Sequence, residues 1–209
     1  IFPMNEVNTC KVEKLETESI QELKSILHDN ADDVACLILE PIQGEGGDNH
    51  FRTEYLSELK ELSMENDFLL IFDEVQTGVG ITGKMWAHEH SNIMPDLMSF
   101  GKKTQCCGMF AGNRLNEVDN HVFKESSRIN STFGGNLVDM VRFTIYLELI
   151  EQEKLVQVAS ENGEYLLSKL LELQESSKDM VSNARGKGLF CAYDLPTTEA
   201  RDKLITIME

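Results

Sequence analysis

The run Ile71-Phe72-Asp73-Glu74-Val75-Gln76 closes an apolar stretch with an acid and, three residues on, an amide. A second apolar stretch closes in Phe100-Gly101-Lys102-Lys103. If both stretches are strands of one parallel sheet, a carboxylate and a primary amine meet at the same sheet edge. A pyridoxal phosphate enzyme needs this pair: an anion to keep the pyridine nitrogen protonated and an amine to hold the aldehyde as a Schiff base. Lys102 is the candidate amine, with Lys103 as its neighbouring rival.

Two glycine-rich stretches could bring backbone close to such a site. Ile42-Gln43-Gly44-Glu45-Gly46-Gly47 reads either as a flexible turn or as a loop lying under a ligand and presenting Glu45 to it. Ser131-Thr132-Phe133-Gly134-Gly135-Asn136 precedes a helix, where the Thr132 hydroxyl could meet a phosphate. Gly78-Val79-Gly80-Ile81-Thr82-Gly83 matches the dinucleotide fingerprint and, with Lys84, most of a P-loop. Both matches fail on chemistry. Asp73 and Glu74 stand where a phosphate would be repelled, and Met85 replaces the magnesium-binding Ser or Thr. His88-Glu89-His90 spaces its histidines two apart, whereas a zinc-binding helix face needs four, so no metal is expected. His28, His50 and His121 are isolated and fall to surface or loop positions.

The elements that would position these residues follow from periodicity. Thr17-Glu18-Ser19 opens a helix through about Leu27, with Ile20, Leu23, Ile26 and Leu27 on one face. Residues 34–39 form a short strand ending in Glu40-Pro41. Thr53 caps a second helix carrying Tyr55, Leu56, Leu59 and Leu62, and residues 68–72 form the next strand. Strand, helix, strand in this span is a βαβ unit, which implies a parallel sheet with a right-handed crossover. Ligands bind beyond the carboxyl ends of such strands, and Glu40, Asp73 and Lys102 all fall there. Residues 96–100 and 109–111 read as further strands, 136–151 and 154–175 as long helices, and 185–193 as a turn leading into a strand. Pro196-Thr197-Thr198-Glu199 opens a last helix that is still running at Glu209. The architecture is expected to change near residue 150, from an α/β layer over 1–150 to a smaller α+β layer over 151–209.

The 209 residues suffice for one substantial α/β core or most of one. A formal net charge of −17 repels nucleic acid and anionic membranes. No apolar run approaches the roughly 18 residues of a membrane span, and no signal-peptide pattern opens the chain. Five scattered cysteines, Cys10, Cys36, Cys106, Cys107 and Cys191, fit reduced thiols in a cytoplasmic setting, and the adjacent Cys106-Cys107 read as small buried hydrophobes, not as a redox or metal pair. The opening Ile1-Phe2-Pro3 and the unpunctuated last helix suggest a piece of a longer protein.

Taken in order, 40–47 (Glu40-Pro41-Ile42-Gln43-Gly44-Glu45-Gly46-Gly47), 73–80 (Asp73-Glu74-Val75-Gln76-Thr77-Gly78-Val79-Gly80), Pro95-Asp96 and Lys102 resemble the class III, or ω-amino acid, aminotransferases. The resemblance covers essentially the whole chain. Thr82-Gly83-Lys84-Met85-Trp86-Ala87-His88-Glu89-His90 is similar to the 4-aminobutyrate and lysine branches. Gly101-Lys102-Lys103-Thr104-Gln105 and the stretch from Ser127 to Leu137 resemble the lysine branch most.

The resemblance implies an α/β chain of PLP-dependent transferase fold type I, the aspartate aminotransferase-like fold. It would be mainly the large domain with the start of the C-terminal small domain. Lys102 would be the Schiff-base lysine and proton-transferring base. Asp73 would pair with the pyridine nitrogen, Gln76 with the ring 3-oxygen, and Thr132 with the cofactor phosphate of a neighbouring subunit, implying a homodimer with shared sites. Glu45 would help the site alternate between two amino donors by pairing with an arginine or releasing it. The implied reaction moves the terminal amino group of L-lysine to 2-oxoglutarate, giving 2-aminoadipate 6-semialdehyde and glutamate. Another ω-amino donor, 4-aminobutyrate or ornithine, remains open. So does a truncated, non-catalytic remnant or dimerisation piece. Family features expected upstream (a phosphate cup, a stacking aromatic, a substrate arginine) and downstream (the arginine answering Glu45) are not in this chain, and Ile81 stands where many relatives carry arginine.

Overall fold

A computed structural model describes residues 9–31, 33–129 and 132–208. Along the chain run α1 (Thr9–Asp29), β1 (Cys36–Leu39), β2 (Ile42–Gln43), β3 (Asn49–His50), α2 (Thr53–Glu65), β4 (Leu69–Asp73), β5 (Leu97–Phe100) and β6 (Gly108–Ala111). Then follow α3 (Leu137–Gln152), α4 (Leu155–Ser176), β7 (Ser182–Lys187), β8 (Phe190–Asp194) and α5 (Thr198–Met208).

The principal sheet has the order β1-β4-β5-β6. β1, β4 and β5 are mutually parallel, so their carboxyl ends share one edge, and β6 returns antiparallel to β5. β4 alternates strictly, burying Leu70 and Phe72 completely on one face. These two side chains and Phe68 meet Tyr55, Leu56, Leu59 and Leu62 of α2 and Ile20 and Leu27 of α1, forming the main core. Downstream, the β7–β8 antiparallel hairpin packs against α4. No helix among the described residues is long and apolar enough to cross a membrane.

Several elements differ from the local reading. α1 begins at Thr9, well before Thr17. Thr17 is interior to the helix, where its hydroxyl donates back to the Glu13 carbonyl at 2.7 Å and so never acts as a cap. Glu16 is also buried, and Arg52 answers it, its Nε donating to Glu16 Oε2 at 2.6 Å. Thr53 does not cap α2 either. The preceding Arg52 is the extended residue, without a side-chain cap, and its N–H is taken by Glu16 Oε1 at 3.2 Å. Residues 185–193 belong to a two-stranded hairpin, because β7 starts at Ser182 and the chain reverses at Gly188.

The cysteines Cys36, Cys106, Cys107 and Cys191 are free thiols, but none is buried: Cys36 and Cys107 are exposed and the others half-buried. Both exposed thiols fall in or beside strands at the margins of the sheet, where no described layer covers them. His50 lies on β3, 3.2 Å from the Asp48 carboxylate, and is not a free surface residue. Asn130 and Ser131 of the 127–137 motif, and Glu209 of the last helix, lie outside the described residues.

Candidate active site

The parallel edge of the sheet places the acid. Asp73, the last residue of β4, is in register with Ser99 of β5. Asp73 Oδ1 accepts from Ser99 Oγ at 3.0 Å and from the Val75 N–H at 3.0 Å. Both bonds fall on one oxygen, so Oδ2 is left without a hydrogen bond among the described residues. A carboxylate pinned through one oxygen presents the other in a fixed direction.

The amine arrives from the next strand. Gly101 ends the extended segment and Lys102 opens a short 3-10 turn with φ +47°, a left-handed geometry that directs it away from the strand. Lys102 is exposed, and its Nζ donates to Gln76 Oε1 at 3.2 Å. Lys103 points elsewhere: it is half-buried, and its Nζ donates to the backbone carbonyl of Gln76 at 2.5 Å. Burial, with the neighbouring Lys102 charge, holds the Lys103 amine below its usual range, and Glu74 opposes this.

Gln76 thus joins the two strand ends, and the third comes in through Gly44. A Cβ on Gly44 would lie 2.5 Å from the Gln76 side-chain carbonyl carbon, so with glycine there the loop after β1 passes against that amide without displacing it. Glu40, at the end of β1, accepts from the Gly44 N–H at 3.0 Å. Glu45 follows, exposed on the same loop. Asp73, Gln76, Lys102 and the Glu45 loop are therefore brought to one edge. Thr132 is not: it is exposed on a turn before α3 and bonds to none of these residues.

In the sequence Glu74 reads only as a repellent for phosphate, yet it anchors the turn that follows β4. It is fully buried, and its Oε2 and Oε1 accept from the N–H groups of Ala87 at 2.5 Å and His88 at 2.9 Å. Burial pushes its carboxyl above the usual range, against the pull of those two bonds. Asp96 is a second residue whose role is invisible locally. It accepts from Lys60 Nζ at 2.5 Å, the Leu70 N–H at 2.8 Å and Arg114 Nη1 at 3.2 Å, tying α2, β4 and the segment after β6 together behind the site. The rings of Trp86, Phe100 and Phe110 pack at 4.8 to 6.0 Å between centroids beneath the Gly101 turn. A cleft of about 780 Å³ between the 83–89 segment and the α3–α4 corner contains none of the acid, amide or amine, and carries no part of the chemistry.

A chain with an aldehyde-reactive amine, a carboxylate with one free oxygen and a bridging amide at one parallel edge has the donor set that pyridoxal phosphate requires. Comparison with known proteins agrees. The family model for class-III aminotransferases matches residues 2–209. An L-lysine-epsilon aminotransferase of Amycolatopsis lactamdurans is 51% identical over 84% of this chain and 39% of its own length. A 4-aminobutyrate aminotransferase of Saccharomyces cerevisiae is 40% identical over 82% of this chain and 36% of its own. A solved lysine aminotransferase from M. tuberculosis superposes with a TM-score of 0.93 at 47% identity, covering 99% of this chain and 47% of that one. The chain spans less than half the length of each of these relatives. With the fold and the sequence matched from end to end, the chain belongs to the class-III aminotransferases.

Proposed function

We propose that this chain forms the central part of a pyridoxal phosphate-dependent aminotransferase that moves the terminal amino group of L-lysine to 2-oxoglutarate, releasing 2-aminoadipate 6-semialdehyde and glutamate. The observation that carries this reading is the 3.2 Å contact between Lys102 Nζ and Gln76 Oε1, beside an Asp73 held through Oδ1 alone. When bound, pyridoxal phosphate supplies an aldehyde and an electron-withdrawing ring. The chain supplies the rest. Lys102 would be the amine that holds the aldehyde and the base that takes the proton from the donor's amine-bearing carbon. Asp73 Oδ2 would accept the ring N–H and keep it protonated, its orientation fixed by Ser99 and the Val75 N–H on Oδ1. The Gln76 side chain donates to the ring oxygen. Glu45, on its glycine-flanked loop, adjusts the site to donors of different charge.

Solved M. tuberculosis structures carry variants at a glutamate, an asparagine and a threonine whose spacing is that of Glu45, Asn130 and Thr132 here. That spacing supports Glu45 and Thr132 as site residues, Thr132 acting on the cofactor phosphate of a second subunit in a homodimer. The chain divides, in this reading, into a cofactor-binding part over 1–150 and the start of a smaller domain over 151–209. The higher identity to the lysine enzyme than to the 4-aminobutyrate enzyme favours L-lysine as donor.

The test supplies the chain with pyridoxal phosphate and 2-oxoglutarate and compares L-lysine, 4-aminobutyrate and ornithine by glutamate formed. Glutamate released fastest with L-lysine supports the reading. A faster rate with another donor overturns L-lysine as the donor, and no glutamate with any of them overturns activity of this part of the enzyme on its own.

A further inference from the structure

The loop that carries Glu45 is held by a side chain nearly 140 positions away. Within the loop, the N–H groups of Gly47 and Asp48 both donate to the Gly44 carbonyl at 3.1 Å, and Asn49 Nδ2 donates to Gln43 Oε1 at 2.9 Å. Two consecutive residues, Gly47 at φ +110° and Asp48 at φ +50°, take the left-handed conformation, which is unfavourable for an aspartate. The carbonyls of both residues are met by a side chain from outside the loop. Arg185 of β7 receives both: its Nε donates to Asp48 O at 2.8 Å and its Nη2 to Gly47 O at 2.5 Å. The guanidinium is itself fixed. Its Nη1 donates to the Asn183 carbonyl at 2.8 Å and to Asp194 Oδ1 at 3.0 Å, and the side chain is only 14% exposed.

We propose that Arg185 is the positioning residue of the Glu45 loop, clamping it from the β7–β8 hairpin so that Glu45 moves on a fixed base. This rests on the role given to Glu45 above and extends it to a residue that touches neither substrate nor cofactor. The fork geometry matters. Two carbonyls on adjacent residues are met by two N–H groups of one rigid plane, while a third nitrogen is held by Asp194. Lysine keeps the charge, but its three N–H groups radiate from a single nitrogen, so it cannot span both carbonyls and Asp194 as the planar fork does. The Asp194 carboxylate neutralises the guanidinium, so the clamp adds no unpaired charge beside Glu45. The clamp borders a cleft of about 540 Å³ whose lining includes Gly44, Gly47, Asp48, Arg185 and Asp194.

The test uses the whole chain as wild type, Arg185→Lys and Asp194→Asn. Hydrogen exchange is followed on peptides spanning 43–50, with the β4 peptide 69–73 as reference. Arg185→Lys should accelerate exchange in 43–50 roughly tenfold or more, the ratio expected when a charge-assisted bond is lost, and leave 69–73 unchanged. Asp194→Asn should give a smaller effect of the same kind. With pyridoxal phosphate present, the ratio of KM for 2-oxoglutarate to KM for L-lysine should shift about fivefold or more in Arg185→Lys, with kcat changed far less. Unchanged exchange in 43–50 would overturn the clamp. Exchange accelerated throughout, or both KM values moving together, would reduce Arg185 to a general structural residue and overturn the positioning role. A wild-type chain that does not transaminate would overturn activity of this chain on its own, and the exchange comparison alone would then decide the clamp.

Discussion

Gly163→Ala gives a change of sign that separates packing from helix propensity. Gly163 lies in the interior of α4, where alanine alone would stabilise the helix by about 0.8–1.0 kcal/mol. A methyl group there, however, would overlap the Cα, carbonyl carbon and oxygen of Gly188 at the β7–β8 turn. Gly188 has no room to retreat. It sits at φ +55° against the backbone of Ile81, Thr82 and Gly83, and the next N–H, that of Leu189, donates to the Ile81 carbonyl at 2.9 Å. Three backbones are stacked, with no flexible side chain to give way. The overpacking cost therefore belongs at the upper end of the usual range of about 1–3 kcal/mol. Subtracting the propensity gain leaves a net loss of about 2 kcal/mol. For a chain of this size that lowers the melting temperature by about 4–8 °C. Thermal unfolding of Gly163→Ala, with Glu164→Ala on the exposed side of the same helix as control, measures it. A melting temperature that rises in Gly163→Ala would refute the three-backbone joint.

Asp96→Asn keeps the shape of a buried carboxylate but strips the charge facing Lys60 and Arg114, and should cost about 3–5 kcal/mol in denaturant unfolding. Asp67→Asn removes the other partner of Arg114, which is 98% exposed, and should leave the midpoint unchanged within error. Burial holds the imidazoles of His88 and His90 below their usual range. A depressed folded-state value means the contribution is intact above the ordinary histidine value near pH ~6.5 and is lost as pH falls through the lowered one. Melting temperature should therefore fall on acidification by less in His90→Gln than in wild type. The raised carboxyl of Glu74 acts in the opposite direction and is common to both proteins, so the difference between them is the readout. Asp73→Asn should lower transamination by several orders of magnitude in single-turnover assays with little change in melting temperature, since Asn still accepts from Ser99 and Val75.

What was legible in the sequence was the part governed by local periodicity and strand ends. The β1–α2–β4 unit, the parallel edge and the placement of Asp73, Gln76 and Lys102 on it all follow from apolar runs closing in polar residues. Neither α1 nor α2 begins at the threonine that the local pattern suggests as its cap. Thr17 and Thr53 look like caps, but a buried Glu16–Arg52 pair that joins distant segments decides how α2 begins. The roles of Glu74, Asp96 and Arg185 were hidden for the same reason, because each partners residues 13 or more positions away, where sequence patterns carry no signal. Cysteine burial was misjudged because hydrophobic neighbours do not say whether a layer covers the strand.

The most direct test of the account is covalent. The chain is incubated with pyridoxal phosphate and reduced with borohydride, and the modified peptide is located by mass spectrometry. The account predicts one major label, on Lys102 and not on the adjacent Lys103, whose amine is half-buried and already committed to the Gln76 carbonyl. A label on Lys103, or an even spread over surface lysines, would contradict it.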